Sequence, residues 1–174
     1  MRLIATLLRS ARAPRLGFLD ESVLPMRVWP DDLDFNGHMN NGRYLTLMDL
    51  GRFDLLTRMG VSRAALKRRW RPMVGSAVIR FRRPLSAFQS FELRSRIVCW
   101  DAKWIFVEQR FERRGKEVAA GAIKGLLRGP EGNVPTAELL AAAGSAGAGS
   151  PPMPEAIELW QRMEALSGGK AERA

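Results

Sequence analysis

One cysteine, one histidine and one tyrosine are spread over 174 residues, and only five of the 28 basic residues are lysine. The lone Cys99 excludes an internal disulfide, and with a single histidine it cannot build the usual zinc clusters, so no metal is expected. Cys99 lies in the apolar run IVCW and is expected to be a buried structural thiol, because a reactive thiol needs a nearby cation or helix N-terminus. Long apolar runs are missing too. None approaches the roughly 20 residues of a membrane span, so the chain is expected to be soluble and cytoplasmic. The start, MRLIATLLRSARAPRL, has a short apolar core and no clean small-x-small cleavage site, which argues against a secretory signal.

What is abundant is arginine. The formal charge is +10 and the pI about 11.1, a balance that favours polyanionic partners in general. Acids interleave with the bases, as in Arg110, Glu112, Arg113, Arg114, Lys116 and Glu117, which is the pattern of a solvated surface, and no nucleic-acid partner is expected. In the first turns Leu3, Ile4, Leu7 and Leu8 share one helical face and Arg2, Arg9 and Arg12 another. Residues 1–21 therefore form an amphipathic segment, able to pack on the body or make peripheral membrane contact.

Residues 22–29 resemble a first strand, with Pro25 marking an edge or a bulge. From Asn40 to Met59 the apolar period is helical: Leu45, Met48, Leu55, Leu56 and Met59 recur, an asparagine pair supplies the cap and Gly60 the stop. Gly51 in the middle of that helix implies that something packs closely against it. Beyond residue 70 the period becomes two. Segments 74–85, 91–100, 104–111 and 118–128 read as strands, the last three separated by short DAK and RRGKE connections. The order of strand, long helix and four strands predicts an α+β domain over 22–130, a curled antiparallel sheet of about five strands around one central helix. Residues 131–174 are expected to be a linker with a C-terminal helical tail, its GSAGAGSPPMP stretch flexible and its Ile157, Trp160 and Met163 forming an apolar face.

The scarce polar groups gather in LDFNGHMNNGRYL, residues 33–45. A helix start presents N–H groups without intrahelical partners and stabilises negative charge. A carboxylate beside such an end, Asp34, can activate water or attack an acyl carbon while those donors hold the carbonyl oxygen. Asn36 and His38 can orient water or the carbonyl, since both donate and accept. Equally, Asp34, Asn36, Asn40 and Asn41 are residue types that loops and helix caps favour for purely structural reasons. Asp32 could share a proton with Asp34 if the two lie close.

This stretch resembles the signature of hotdog-fold acyl thioesterases, in which an aspartate is followed four residues later by His and then by Asn-Asn-x-x-Tyr opening the central helix. It is similar to the hydroxybenzoyl-CoA type, and D-x-N-x-H-x-N-N also matches the plastid acyl-carrier-protein thioesterases. The resemblance covers about residues 22–129. It implies a hotdog fold, hydrolysis of an acyl thioester such as acyl-CoA or acyl-carrier-protein, no cofactor, and at least a homodimer. It makes Asp34 the nucleophile or base, assisted by Asn36 and His38, with Asn40, Asn41 and Gly42 at the helix start forming the oxyanion site. Asp49, inside the helix, is the rival base, although it can simply pair with Arg52 one turn on. Arg82 and Arg83, near a strand end, are candidates for contacting the nucleotide of coenzyme A. A noncatalytic acyl-binding module and a hotdog dehydratase are the other outcomes of the same resemblance.

Overall fold

The computed structural model describes residues 2–168. Helix α1 (Arg2–Arg12) leads into strand β1 (Ser22–Arg27), a single 3-10 turn (Pro30–Asp32) and the central helix α2 (Asn41–Arg58). After Gly60, held at φ 83°, the chain turns into α3 (Val61–Arg68), and five strands follow: β2 (Arg71–Phe81), β3 (Ser90–Trp100), β4 (Ile105–Arg113), β5 (Lys116–Gly129) and the short β6 (Gly132–Val134). Helices α4 (Thr136–Ala142) and α5 (Glu155–Gly168) complete the described chain.

The sheet is antiparallel in the order β1-β3-β4-β5-β2, with β6 pairing β5. Pro25 lies on the edge strand β1, where its missing N–H costs no ladder bond on the open side. Register breaks at Val74/Ser76, Ile97/Cys99 and Phe111/Glu112 add local twist, which curls the sheet around α2. Leu93, Ile97, Val107, Phe111 and Ile123 face inward and pack with Leu47, Met48 and Leu55 of the helix. Tyr44, the only tyrosine, sits in that core between Phe81 and Phe111, with ring centroids 5.0 and 4.9 Å away, and burial pushes its pKa up to about 12.

Gly51 marks the closest approach of helix to sheet. A Cβ there would lie 2.7–2.8 Å from Leu93, Ser95 and Gln109 side-chain atoms. Ser95 and Gln109 are fully buried, and the Gln109 amide donates to the Met48 carbonyl (2.9 Å) and to Ser95 Oγ (2.8 Å). The opposite face of the sheet is polar over much of its area. Arg94 pairs with Glu21, Glu92 and Glu112, and Arg110 with Glu21, so both arginines are engaged by nearby acids.

Helix α5 covers an apolar part of that outer face, packing Ile157 and Trp160 on Cys99 and Phe106. Met163, expected on the same face, points to solvent. Burial and the nearby Asp101 push the Cys99 thiol up to about 11, consistent with a structural role. Sequence periodicity left β6 and α4 inside the linker, whereas Val134, Leu139 and Leu140 join the main core. Strand β2 ends at Phe81 rather than 85, because Arg82 and Arg83 both donate to the Val118 carbonyl and Pro84 follows.

Candidate active site

Between Trp29 and Asn41 the chain makes two tight turns that the backbone pins to its neighbours. The Asp34 N–H donates to the His38 carbonyl (2.8 Å), Gly37 adopts φ 72° to let the chain reverse, and its N–H donates to the Asp34 carbonyl (3.1 Å). His38 bridges to Ser86, and the Met39 N–H donates to the Leu85 carbonyl at 2.7 Å. The Asp34 carboxylate, half-buried, accepts from the Asn36 N–H (2.8 Å) and more weakly from the His38 N–H (3.4 Å). Asn36 is exposed, and Phe35 at the tip is 97% exposed.

Asn40 caps α2 through its side-chain oxygen, which accepts from the Gly42 N–H at 2.8 Å. Of the expected oxyanion donors, Gly42 is thereby engaged, while Asn41 N–H, the first of the helix, has no intrahelical acceptor by geometry. Asp34, Asn36, His38, Asn40 and Asn41 thus lie on one short segment at the start of α2, and the Asp34 carboxylate bonds within its own turn.

The pivot of this segment is a residue that local sequence reasoning did not place. Asp32 is fully buried and accepts from Arg2 Nη1 (2.6 Å), Arg43 Nε (2.9 Å) and the Trp29 N–H (2.8 Å), while its carbonyl accepts from the Asn40 N–H (2.8 Å). Burial alone raises a carboxyl pKa, but Arg2, the Trp29 N–H and Arg43 outweigh it and hold Asp32 down to about 2. Its charge is committed to two arginines instead of being shared with Asp34. One carboxylate thereby fastens the starts of α1 and α2 to the turn between them.

A second feature, an apolar cavity of about 310 Å³, opens between α2 and the β2–β5 side of the sheet. Leu50, Phe53, Ile105, Val107, Ile123 and Leu127 are among its apolar wall residues, and Met73 and Val74 of the edge strand line one side. Its polar groups are those of Asp49 and Arg52, which pair with each other, Arg52 also donating to Gln109 Oε1 at 2.8 Å. Burial lowers the pKa of Arg52, an effect that Asp49 partly offsets. Asp49 therefore lines the cavity, its carboxylate still largely exposed, whereas Asp34 is not among the lining residues. Size and lining suit a small-molecule tail, at the low end of ordinary ligand pockets.

The two arginines proposed for the nucleotide split. Arg82 pairs with Glu117 at 2.7 Å, and Arg83 donates to the Glu117 carbonyl at 2.8 Å while lining a crevice with Arg113, Arg114 and Lys116 at the β4–β5 turn.

Residues 28–161 match the thioesterase-like superfamily. The chain belongs to that superfamily. Among curated relatives of this thioesterase-like chain, protein THEM6 of Danio rerio is 45% identical over 100 residues, covering 58% of this chain and 50% of the relative. Protein THEM6 of Xenopus laevis is 45% identical over 84 residues, 48% of this chain and 41% of the relative. A probable thioesterase of Saccharomyces cerevisiae is 32% identical over 84 residues, 47% of this chain and 36% of the relative. The chain thus spans about half the length, or less, of the curated relatives it matches.

Solved structures place the superfamily member in the hotdog fold. The probable thioesterase YbaW of Escherichia coli superposes with a TM-score of 0.65 at 20% identity, covering 72% of this chain and 98% of that one. A gentisyl-coenzyme A thioesterase gives 0.61 at 22% identity, covering 70% and 98%. The fold expected from strand and helix order is the one these structures share, and the family-matched residues contain the 33–45 loop and the lining of the apolar cavity other than Leu3.

Proposed function

We propose that this chain hydrolyses an acyl thioester, acyl-CoA in the first instance, to a free acid and a thiol. The observation that carries this reading is the placement of Asp34 in a backbone-fixed turn just before the start of α2, where Asn40 engages the Gly42 N–H and leaves the Asn41 N–H without an intrahelical acceptor, within a thioesterase-like domain that also holds an apolar cavity. Acting as a base, Asp34 takes a proton from water as the hydroxide adds to the thioester carbon. The oxygen that becomes negative is held at the helix start by the Asn41 N–H, and collapse expels the thiolate, which recovers the proton. Acting as nucleophile, the same carboxylate adds to the thioester carbon, the C–S bond breaks and the thiolate leaves, and water opens the resulting anhydride to the free acid and the regenerated carboxylate, its second proton going to the thiolate. His38 and Asn36 orient the water. Asp49, on the cavity wall, is the rival base.

A second copy of the chain is part of this proposal. Strand β2 is an eleven-residue edge, exposed along most of its length, that carries Met73, Val74, Val78 and Phe81 toward solvent, a surface that invites pairing. Because Met73 and Val74 also line the cavity, a copy paired there would wall the cavity on that side.

Thiol release from acyl-CoAs of several chain lengths tests the reading on wild type, Asp34→Asn and Asp49→Asn. Loss of about 10²-fold or more in Asp34→Asn alone is expected. Undiminished turnover in Asp34→Asn would remove Asp34 from its role. Because the Asp34 carboxylate already has two backbone donors, a noncatalytic acyl-CoA or acyl-carrier-protein binding module is the alternative; tight binding with no thiol released from any chain length would establish it.

A further inference from the structure

An amphipathic helix packed on a globular body ordinarily buries its apolar stripe. Helix α1 does the reverse. Its buried residues are Thr6 and Ser10, with Ser10 Oγ 2.6 Å from Asp54 Oδ1 and 2.7 Å from the Thr6 carbonyl, and its start is tied down by the Arg2–Asp32 pair. Asp54, itself buried in α2, also accepts from Ser22 and pairs with Arg58. The helix is therefore anchored at both ends by polar bonds, and its leucines are left outside: Leu3, Ile4, Leu7 and Leu8 are all exposed, Ile4 at 60% and Leu8 at 52%.

At about 100° per residue those four residues fill one sector of roughly 140°, and Arg9 and Arg12, both exposed, fill the adjoining sector. Arg15 follows, also exposed. We propose that this outward face seats the protein on an anionic membrane surface, with the aliphatic side chains in the acyl boundary and the arginines at the lipid phosphates. Lipid fits this face better than a second copy does. Two α1 helices meeting through their leucines would bring Arg9 and Arg12 of each toward the other on a chain of charge +10, whereas an anionic bilayer neutralises them. Leu3 belongs both to this face and to the rim of the apolar cavity, so docking would set the cavity mouth at the lipid boundary; that link to acyl substrates rests on the hydrolase reading above.

The test is co-sedimentation of the full chain with vesicles of phosphatidylglycerol and phosphatidylcholine against vesicles of phosphatidylcholine alone. No thioester is present, so loss of docking and loss of hydrolysis are separately visible. Binding to the anionic vesicles is expected, reduced about tenfold or more by the double variant Ile4→Gln/Leu8→Gln. Arg9→Gln/Arg12→Gln, or about 0.5 M salt, should weaken it several-fold. Ile4 and Leu8 line neither the cavity nor the α1–body contact, so circular dichroism and thiol release from a soluble short-chain acyl-CoA should be unchanged in the first variant. Absence of binding, equal binding to both vesicle types, or binding indifferent to the Ile4/Leu8 change would overturn the proposal. So would a fall in oligomeric state of that variant by light scattering without vesicles, which would assign the face to a second copy.

Discussion

Replacing Gly51 by alanine sets two well-known effects against each other at one site. Alanine in a helix interior is favoured over glycine by about 1 kcal/mol. Against that gain stands the new methyl, 2.7 Å from Leu93 Cδ2 and Ser95 Oγ and 2.8 Å from Gln109 Nε2. Such distances force movement, and overpacking a core costs about 1–3 kcal/mol. None of the three neighbours is free to move cheaply. Gln109 is fully buried and holds Met48, Ser95 and Arg52 at 2.8–2.9 Å, and displacing its amide would add about 1 kcal/mol for each bond lost. The expected net change is a loss of about 2 kcal/mol. With a urea slope near 2 kcal/mol/M, the midpoint should fall by roughly 1 M. Urea unfolding of Gly51→Ala, followed by tryptophan fluorescence, measures it. A midpoint equal to or above wild type would refute the close approach, since only the propensity gain would then remain.

Acid should act through Asp32. Its folded pKa of about 2 lies below the ordinary 3.8, so its contribution is complete above about pH 4 and is lost as pH falls toward 2. That difference is worth about 2 kcal/mol, and in Asp32→Asn the pH 2–4 slope of stability should flatten while stability at pH 7 falls by a similar amount or more. Glu21, lowered by Arg94 and Arg110 against the effect of its own burial, adds to the same acid sensitivity and makes Glu21→Gln the control for slope that Asp32 does not supply. Cys99 should react with a thiol reagent far more slowly than a free cysteine, being fully buried under α5, and Trp160→Ala should accelerate the labelling; fast labelling of the wild type would contradict the docked helix.

The parts of the fold that were legible in the sequence are those held by local periodicity. Met48, Leu55 and Met59 repeat with the helical period and are buried, although Leu45 of the same repeat faces solvent and Leu47 fills the core instead; β3 and β4 alternate, and the Arg114–Gly115 pair at φ 52° and 70° closes the β4–β5 hairpin where the RRGKE segment suggested a turn. What stayed hidden depends on partners far away in the chain. Asp32 acquires its role from Arg2, thirty residues earlier, and Arg43, eleven later. The seating of α1 depends on Asp54, forty-four residues from Ser10, so a helical wheel alone predicts the wrong buried face. The cavity is likewise assembled from α2 and four strands, and no short stretch announces it. The 33–45 loop was visible only through its residue types and its resemblance, because turn residues and site residues are chemically the same.

The place of β2 in the sheet also sets a timetable. Among the described residues β2 pairs with β5 alone, yet residues 82–115 separate the two along the chain. At synthesis rates of about 5–20 residues per second, those intervening residues take roughly 2–7 s to appear. For that interval, in which β3 and β4 are themselves made, a strand bearing Met73, Val74, Val78 and Phe81 lacks the strand it pairs with in the finished sheet. The period in which this strand lacks its partner therefore ends only when the last long strand has left the ribosome.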